Sequence, residues 1–526
     1  MQTMQAGESW QASWVRDNTG LEVQRSFSGG VTVRTERDCF GREIRKSVRS
    51  GGIEKGAYRY QWGIANRLLS KENELTGTVT RYDYDRFDFL IRQETMQGSE
   101  TDVIYRVPDF VGNLFETPDR KDRKYGAGGK LLEDPDCFYH YDDEGNLVFR
   151  EFKQLQETGV KFDYKRMEKE RGIRCLATGT GWFYEWTSNG MLKKVIRPDG
   201  RPVEFRYDAL GRRTAKRYFG KITRWVWNGN VPLHEWSYKA IGLQSDEEEN
   251  IPPKEPVEDI TTWVFEAGTF VPTAKIQDGK QYSIVSDYLG TPIQMYDEKG
   301  YKTWECTLDI YGKVVNFEGF FLNDCPFRFQ GQYEDKETGL YYNRFRYYSP
   351  ETGSYFSQDP IRLYSSNPTF YGYIYDTNIG VDIFGFTGTY MFTDGKKWYI
   401  GKGPKSRMYQ SMDIRVGGYT NVTKGLHIDY GNNNTGLMVE AALMRRNQAV
   451  TSIDFLNQIN SPGEKMLTDA YQKNRALYDD IMKKGHSFVV KLRCRILKNN
   501  SKEPFMSIVN TLALESNRQI KINFDE

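Results

Sequence analysis

A carboxylate lies on the inward face of a predicted helix near the C-terminus. Asn434-Thr435 is a typical helix cap, and the segment LMVEAALMRRN that follows has helical periodicity. Leu437 and Ala441 belong to its apolar face, and Glu440 falls on the same face. Burying a carboxylate is costly unless it meets a cation or a metal. The pattern therefore predicts a carboxylate at Glu440 that is paired with a cation or holds a metal ion.

Two short strands precede this helix. Residues 388–392 and 397–401 alternate as β-strands do, and Asp394-Gly395 between them is typical of a hairpin turn. The tripeptides Gly388-Thr389-Tyr390 and Tyr399-Ile400-Gly401 lie in these strands and stand where the two signature tripeptides of GIY-YIG nucleases would stand. Residues 387–526 are therefore expected to form a small α/β (α+β) domain that resembles this nuclease family.

The resemblance extends to the order of the residues that could do chemistry. It implies a catalytic set made of Tyr390, Tyr399, Arg407, Glu440 and Asn460, with Glu440 holding Mg²⁺ or another divalent cation. A cation held by one carboxylate keeps most of its coordination sphere for water and phosphate. Arg407 can bind two phosphate oxygens, and the two tyrosines would position water, one of them as a base. This set predicts phosphodiester cleavage.

Several assignments in this set stay open. The family commonly places a histidine one helical turn after the arginine, where this chain has Ser411. Lys402, Tyr409 and His427 are candidates for the second proton-transfer group, and the sequence does not choose among them. Each residue also has a plain structural alternative: an ordinary strand aromatic for either tyrosine, a solvated charge for Arg407, an ion pair for Glu440 and a turn residue for Asn460.

Residues 1–386 contain repeated β-hairpins. In 182–218, Asn189-Gly190, Asp199-Gly200 and Leu210-Gly211 each separate runs of alternating polarity, and Val203 and Phe205 fall on one face. The unit Tyr-Asp, turn and Gly recurs, and it resembles the YD repeats of the Rhs family. The stretch 326–363, PFRFQGQYEDKETGLYYNRFRYYSPETGSYFSQDPIRL, closely resembles the most recognisable part of the Rhs core. The expected fold is a mostly β shell of spiralling antiparallel hairpins.

Two aspartate-containing turns close this region, at Asp359 and at Asp382. In Rhs proteins the corresponding pair is associated with aspartyl autoproteolysis, which implies cleavage between Phe386 and Thr387. Two carboxyls held close together cannot both ionise, so one stays an acid while the other activates water. The chain departs from the family pattern in having Arg362 for Gly, Ile383 for Pro and Phe386 for Leu, so autoproteolysis is expected although these departures could slow it.

The amino-acid composition indicates the general class to which this protein belongs. With 526 residues, 38% hydrophobic and 27% charged, the chain is expected to be a soluble globular protein of more than one unit. It contains no apolar run long enough to span a membrane, and its first residues do not resemble a secretory signal. Its six cysteines and four histidines are scattered, which supports neither a disulfide framework nor a zinc site.

Together these features predict an antibacterial Rhs-type toxin, with a β shell at 1–386 and a nuclease domain at 387–526. The resemblance implies a DNA substrate, an immunity protein that binds the tail, and a secretion-apparatus spike or adaptor. It also implies storage in the producer's cytoplasm and delivery into a target cell without a signal peptide. Two alternatives remain: a tail that cuts RNA, and a non-catalytic YD-repeat scaffold or adhesion protein.

Overall fold

The computed structural model describes residues 2–6, 10–155, 172–239, 255–359, 369–382, 389–393, 398–402 and 424–428. The chain divides into two compact units. One consists of residues 1–358 and 367–385, and the other of 359–366 and 386–526. Among the described residues the only helices are three single 3₁₀ turns, Ile64–Asn66, Ala127–Gly129 and Leu322–Asp324. No helix in these ranges is long and apolar enough to cross a membrane.

The first sheet of the larger unit has ten antiparallel strands that follow one another in chain order. They are β1 (Gln2–Ala6), β2 (Trp10–Arg16), β3 (Glu22–Phe27), β4 (Val31–Arg37), β5 (Glu43–Ser50), β6 (Ile53–Trp62), β7 (Leu68–Asn73), β8 (Thr78–Tyr84), β9 (Leu90–Gln97) and β10 (Glu100–Tyr105). Next comes a two-stranded ribbon, β11 (Val107–Pro108) and β12 (Leu114–Phe115).

The second large sheet has sixteen strands, again in chain order and antiparallel. They are β13 (Lys124–Tyr125), β14 (Leu131–Glu133), β15 (Cys137–Tyr141), β16 (Leu147–Phe152), β17 (Gly181–Trp186), β18 (Leu192–Ile196), β19 (Pro202–Tyr207), β20 (Arg213–Tyr218), β21 (Lys221–Asn228), β22 (Val231–Lys239), β23 (Thr261–Phe265), β24 (Pro272–Gln277), β25 (Lys280–Ser286), β26 (Pro292–Tyr296), β27 (Lys302–Leu308) and β28 (Val314–Gly319).

Two smaller sheets complete the described strands. A four-stranded sheet contains β29 (Tyr333–Asp335), β30 (Leu340–Asn343), β31 (Arg346–Ser349) and β32 (Ser354–Tyr355). The second unit contributes a three-stranded sheet of β33 (Thr389–Thr393), β34 (Trp398–Lys402) and β35 (Lys424–Ile428), in which β33 is central. The prediction of a mostly β, antiparallel protein is confirmed for the described residues. The helix predicted after Asn434 lies outside them.

One turn explains the repeating pattern of the sequence. In Asp208–Gly211 the N–H of Gly211 donates to the carbonyl of Asp208 at 2.9 Å, and Asp208 Oδ1 accepts the N–H groups of Leu210 and Arg212. Gly211 has φ +74°, a left-handed conformation that glycine adopts without steric cost. The same backbone turn occurs at 17–20, 38–41, 109–112, 142–145, 287–290, 297–300 and 309–312.

Strand alternation builds the core as the sequence predicted. Val203 and Phe205 on β19 are buried, with 0% and 4% of their surface exposed, whereas Arg206 is exposed. The inner face of the first sheet packs on β24–β26: Trp10 and Val33 share a cluster with Val285 and others. Burying such side chains contributes about 1.5–3 kcal/mol each. The repeats are thus held by packing between sheets that are far apart in sequence.

The four-stranded sheet is tied to the repeats by a buried ion cluster. Asp335 on β29 has no exposed surface and accepts hydrogen bonds from Arg213 and from Lys216 Nζ, the latter at 3.0 Å. The Arg213 guanidinium also lies over the rings of Trp225 at 4.4 Å and Tyr342 at 4.5 Å. These contacts fix the position of the segment that leads to the predicted cleavage region.

Candidate functional site

The residues predicted from the sequence fall into three groups. Asp359 and Asp382 are described with their side chains, while Tyr390 and Tyr399 are described as positions on strands. The others lie outside the described residues: Phe386, Thr387, Arg407, Glu440 and Asn460, together with Arg362, Ile383, Tyr409 and Ser411. Their assignments remain predictions.

The two tripeptides lie on paired strands. β33 and β34 run antiparallel, with Tyr390 opposite Gly401 and Phe392 opposite Tyr399, and the register has no bulge. Opposite residues in an antiparallel pair share a face, and so do residues two apart on one strand. Positions 390 and 399 therefore lie diagonally on the same face of the sheet. The strands begin and end one residue later than the predicted 388–392 and 397–401.

Asp382 lies in a cradle of strand residues from the four-stranded sheet. Its Oδ2 accepts a hydrogen bond from the Tyr355 hydroxyl at 2.9 Å and from Arg346 Nη2 at 3.2 Å. The side chains of Arg346 and Asp382 are 3% and 10% exposed, so water screens this ion pair weakly. Both donors stabilise negative charge on the same oxygen.

The backbone of Asp382 is fixed as well. Asn343 Nδ2 donates to the Asp382 carbonyl at 2.8 Å, and the Asp382 N–H donates to the Tyr373 hydroxyl at 3.3 Å. The same Asn343 amide reaches the Tyr355 hydroxyl at 2.7 Å. The peptide groups on both sides of Asp382 are therefore held, four residues before the predicted scissile bond.

Burial keeps the phenols of this cradle protonated. The pKa of Tyr355 is raised well above its ordinary value, first by burial and then by the negative charge of Asp382. The pKa of Tyr373 is raised by the same two causes in the same order. Arg346 lies 3.6 Å from the centroid of the Tyr355 ring and adds a cation–π contact. Tyr355 is thus a hydrogen-bond donor to the carboxylate across the ordinary pH range.

Asp359 is buried, with 5% of its surface exposed. It belongs to the second compact unit, whereas Asp382 belongs to the first. The pairing of these two carboxyls stays a prediction.

The sequence analysis did not identify the residues that surround Asp382. Asn343, Arg346 and Tyr355 occur in the quoted block YYNRFRYYSPETGSY, where they read as part of a family signature. A signal was present, because Arg346 lies in β31, whose four residues are all buried. A buried arginine requires an acceptor, and here that acceptor comes from 36 residues further along the chain.

Within the described ranges no group of three or more histidine, cysteine, aspartate or glutamate side chains is arranged to hold a metal ion. Four of the described cysteines, Cys39, Cys137, Cys306 and Cys325, are free cysteines.

Two family models match parts of the chain. Residues 257–379 match the teneurin YD-shell model, and residues 186–223 match the RHS repeat model. The first range includes the cradle residues Asn343, Arg346 and Tyr355.

Curated relatives match over most of the chain. A double-stranded DNA deaminase toxin A from Burkholderia cenocepacia is 29% identical over 80% of this chain and 29% of its own length. A probable deoxyribonuclease RhsB from Dickeya dadantii is 27% identical over 73% of this chain and 25% of its own. The toxin protein Tse5 from Pseudomonas aeruginosa is 24% identical over 71% and 32%. The chain spans about a quarter to a third of the length of these relatives.

Among solved structures, the Photorhabdus luminescens Tc holotoxin pore matches with a TM-score of 0.33 and 17% identity, covering 72% of this chain and 21% of that one. The crystal structure of TcdB2-TccC3 matches with a TM-score of 0.34 and 18% identity, covering 72% and 22%. The two family models and the Rhs-named relatives show that this chain carries Rhs and YD-shell repeat sequence, as its Tyr-Asp and glycine pattern predicted.

Proposed function

We propose that this chain is an Rhs-type antibacterial toxin whose YD-repeat shell encloses and releases a C-terminal nuclease that cleaves DNA. The main observation in support of a nuclease is the register of β33 and β34, which puts positions 390 and 399 on one face of the sheet. Relatives named as deoxyribonucleases and as a DNA deaminase toxin support DNA as the substrate.

The chemistry follows from the residue types. Tyr390 and Tyr399 would position the attacking water, Arg407 would bind the phosphate oxygens, and Asn460 would complete the site. Glu440 would hold Mg²⁺, because a carboxylate oxygen is a ligand that this ion prefers. The bound ion would stabilise the negative charge that develops on the phosphate.

The Asp382 cradle supports self-release of the tail. In this reaction water adds to the carbonyl carbon of Phe386, the bond to the nitrogen of Thr387 breaks, and that nitrogen takes up a proton. Arg346 and Tyr355 favour the ionised form of Asp382, which would accept the proton of the water, and Asp359 would be the acid. The cradle anchors this carboxylate four residues before the bond that is cut.

The nuclease is tested with the full chain, plasmid DNA and either Mg²⁺ or EDTA. The assay is run natively and through a urea series, so that a tail enclosed by the shell also becomes accessible. We expect cutting that requires Mg²⁺ and is lost in Glu440→Ala and Tyr390→Phe. Intact plasmid under every condition would exclude a DNase. RNA in the same assay tests the RNase alternative, and inertness toward both nucleic acids would favour a non-catalytic scaffold.

Self-release is tested by incubating freshly purified full chain and following its fragments by mass spectrometry. We expect a C-terminal fragment that begins at Thr387, and its loss in Asp359→Asn and Asp382→Asn. Arg346→Met should slow its appearance at least tenfold, whereas Arg206→Met, which removes an exposed arginine on β19, should not. A fragment that still forms at the wild-type rate in Asp382→Asn would contradict the assigned role.

The partners of this toxin follow from the same proposal. An immunity protein would bind the tail in the producing cell, and a secretion-apparatus spike or adaptor would carry the chain out of its cytoplasm into a target cell. Co-expression of a neighbouring gene product that restores growth would test the first of these.

A further inference from the structure

The three-stranded sheet brings a third chemistry-bearing position beside the two tyrosines. β35 pairs with the central strand β33, and His427 is directly opposite Tyr390. Tyr390 is also directly opposite Gly401 on the other neighbour, β34. Neither pairing has a register shift, so alternation along the strands can be followed across the whole sheet.

This register places two of the candidates for the second proton-transfer group, His427 and Lys402, on opposite faces of the sheet. His427 shares a face with Tyr390, and Tyr399 lies on that face through its partner Phe392. Lys402 is opposite Thr389, one residue before Tyr390, and therefore belongs to the other face. Neighbouring strands are about 4.8 Å apart, so position 427 is within about 5 Å of position 390 in the backbone.

We infer that His427 is the second proton-transfer group of the nuclease site, acting with Tyr390 and Tyr399 on a phosphodiester substrate. This inference rests on the proposed nuclease function. In the reaction a bond forms between the water oxygen and phosphorus, and the bond from phosphorus to the leaving oxygen breaks. One proton leaves the water and one reaches the leaving oxygen, and His427 transfers one of these two.

Histidine suits this role because its ordinary pKa of about 6.5 lets it bind or release a proton near neutral pH. A positioned acid or base of this kind typically contributes about 10²–10⁴-fold in rate. Lysine, with an ordinary pKa of about 10.4, is charged throughout that range and is a poorer proton acceptor. Register and acid–base chemistry thus favour the same residue.

The test compares the full chain with His427→Ala, His427→Gln and Lys402→Ala, all assayed on plasmid DNA with Mg²⁺ between pH 5 and 9. We expect both His427 variants to lose about 10²-fold or more in rate and to lose the limb of the pH profile near 6.5. Added imidazole should partly restore His427→Ala. Lys402→Ala should stay within about threefold of wild type and keep that limb.

Three results would overturn the inference. The first is a His427→Gln variant that cleaves DNA within threefold of the wild-type rate and has an unchanged pH profile. This result counts against the inference even when the alanine variant does not fold. The second is a loss of rate that leaves the pH limb in place and is not rescued by imidazole, which would indicate a structural role. The third is the absence of nucleic-acid cleavage by the wild-type chain, which would overturn the nuclease proposal as well. The wild-type assay therefore separates failure of the nuclease proposal from failure of the role assigned to His427.

Discussion

The turns at Asp17 and Asp309 are the same local structure in two different environments. In each, the aspartate Oδ1 accepts the N–H groups of the residues two and four positions later, and the glycine three positions later closes the turn. Asp17 is exposed, whereas Asp309 has only 7% of its surface exposed. The backbone hydrogen bonds are equivalent, but the Thr19 hydroxyl also donates to Asp17 Oδ1 at 2.7 Å, so the two carboxyls differ in burial and in this one side-chain donor.

Their pKa values shift in opposite directions. The hydroxyl of Thr19, followed by the backbone N–H groups, lowers the pKa of Asp17. Burial raises the pKa of Asp309 to about 6 although its turn donates the same backbone hydrogen bonds. Asp376, 2% exposed, goes further: burial raises its pKa to about 7. The same turn can therefore lower or raise the pKa of its aspartate, depending on burial and on a side-chain donor such as Thr19.

Asp335 shows a third outcome for a buried aspartate. It is as buried as Asp376, but Arg213 and Lys216 both donate to it. Hydrogen bonds from two cations offset the cost of burying the Asp335 carboxylate, whereas the side chains of Asp309 and Asp376 accept backbone N–H groups of their own turns. The comparison shows that a buried aspartate can take its hydrogen-bond donors from a distant strand or from its own turn.

The largest effect is expected from removing such a cation. Arg213→Met leaves Asp335 buried and short of one donor, and breaking a buried pair from one side typically costs about 3–5 kcal/mol. The free energy of unfolding is measured by urea titration with tryptophan fluorescence. Lys313→Met, which breaks the exposed pair with Glu351, is the control and should cost about 1 kcal/mol or less. Equal costs for the two variants would contradict the role assigned to burial.

The next effect is a dependence of stability on pH. An unfolded aspartate titrates near 3.9, and Asp309 does so near 6 in the folded chain, so the folded state binds more protons between about pH 4 and 6. The contribution of Asp309 to stability should fall as the pH rises through this window, by up to roughly 3 kcal/mol, and stay level above it. Asp309→Asn keeps the Oδ1 acceptor and removes the charge, so it should abolish this component.

Urea midpoints at pH 4.5 and pH 8 measure this component. Asp309→Asn should match wild type at the lower pH and exceed it at the higher pH. If the substitution lowers stability equally at both pH values, the raised pKa is not the cause of the pH dependence.

The third-largest effect is expected at the glycines of the turns at Asp17 and Asp309, which should differ in how much an alanine substitution destabilises the chain. Gly312 and Gly20 have φ +82° and +85°, so alanine is strained at either position by about 1 kcal/mol. A Cβ on Gly312 would lie 2.7 Å from the Phe329 ring, whereas a Cβ on Gly20 would meet nothing within 4 Å. Gly312→Ala should cost about 1–3 kcal/mol more than Gly20→Ala in the same urea experiment. Similar costs would show that the Phe329 ring moves aside freely.

The smallest effect is expected at Asp208, whose contribution to stability should change with pH in the opposite direction from that of Asp309. Burial opposes ionisation of Asp208, but the N–H and side chain of Arg212 outweigh it and lower the pKa of this carboxyl. Its stabilising effect is present above about pH 4 and is lost as the pH falls through the lowered value. Asp208→Asn should therefore destabilise the chain by about 1 kcal/mol at pH 7 and by less at pH 3. Thermal melting at both pH values measures this, and an equal loss at both would count against it.

Much of the local structure could be predicted from the sequence. The alternation of Val203 and Phe205 gave a buried face, and the hairpin turns at Asn189-Gly190 and Asp199-Gly200 join strands as expected. The strands that hold Tyr390 and Tyr399 were displaced by only one residue. These features depend on neighbours within a few residues, so the sequence carries them directly.

The surroundings of Asp382 could not be predicted in the same way. Its partners Asn343 and Arg346 lie 39 and 36 residues earlier, and nothing local to Asp382 indicates them. The register between β33 and β35 is equally remote from any short motif, because it pairs Tyr390 with a histidine 37 residues away. Long-range pairing must be observed before such residues can be assigned to a site.

The sequence by itself determined the strands and the Asp-x-x-Gly turns, because a period of two and a left-handed glycine are properties of a few adjacent residues. Only the tertiary structure decided whether burial raises the pKa of a turn aspartate, as it does at Asp309. The free energy of ionisation depends on the water and cations around the carboxyl, and those are set by distant strands. Burial by packed strands raises the pKa of Asp309, whereas the exposed Asp17 has a lowered pKa that its own turn provides, chiefly through the Thr19 hydroxyl.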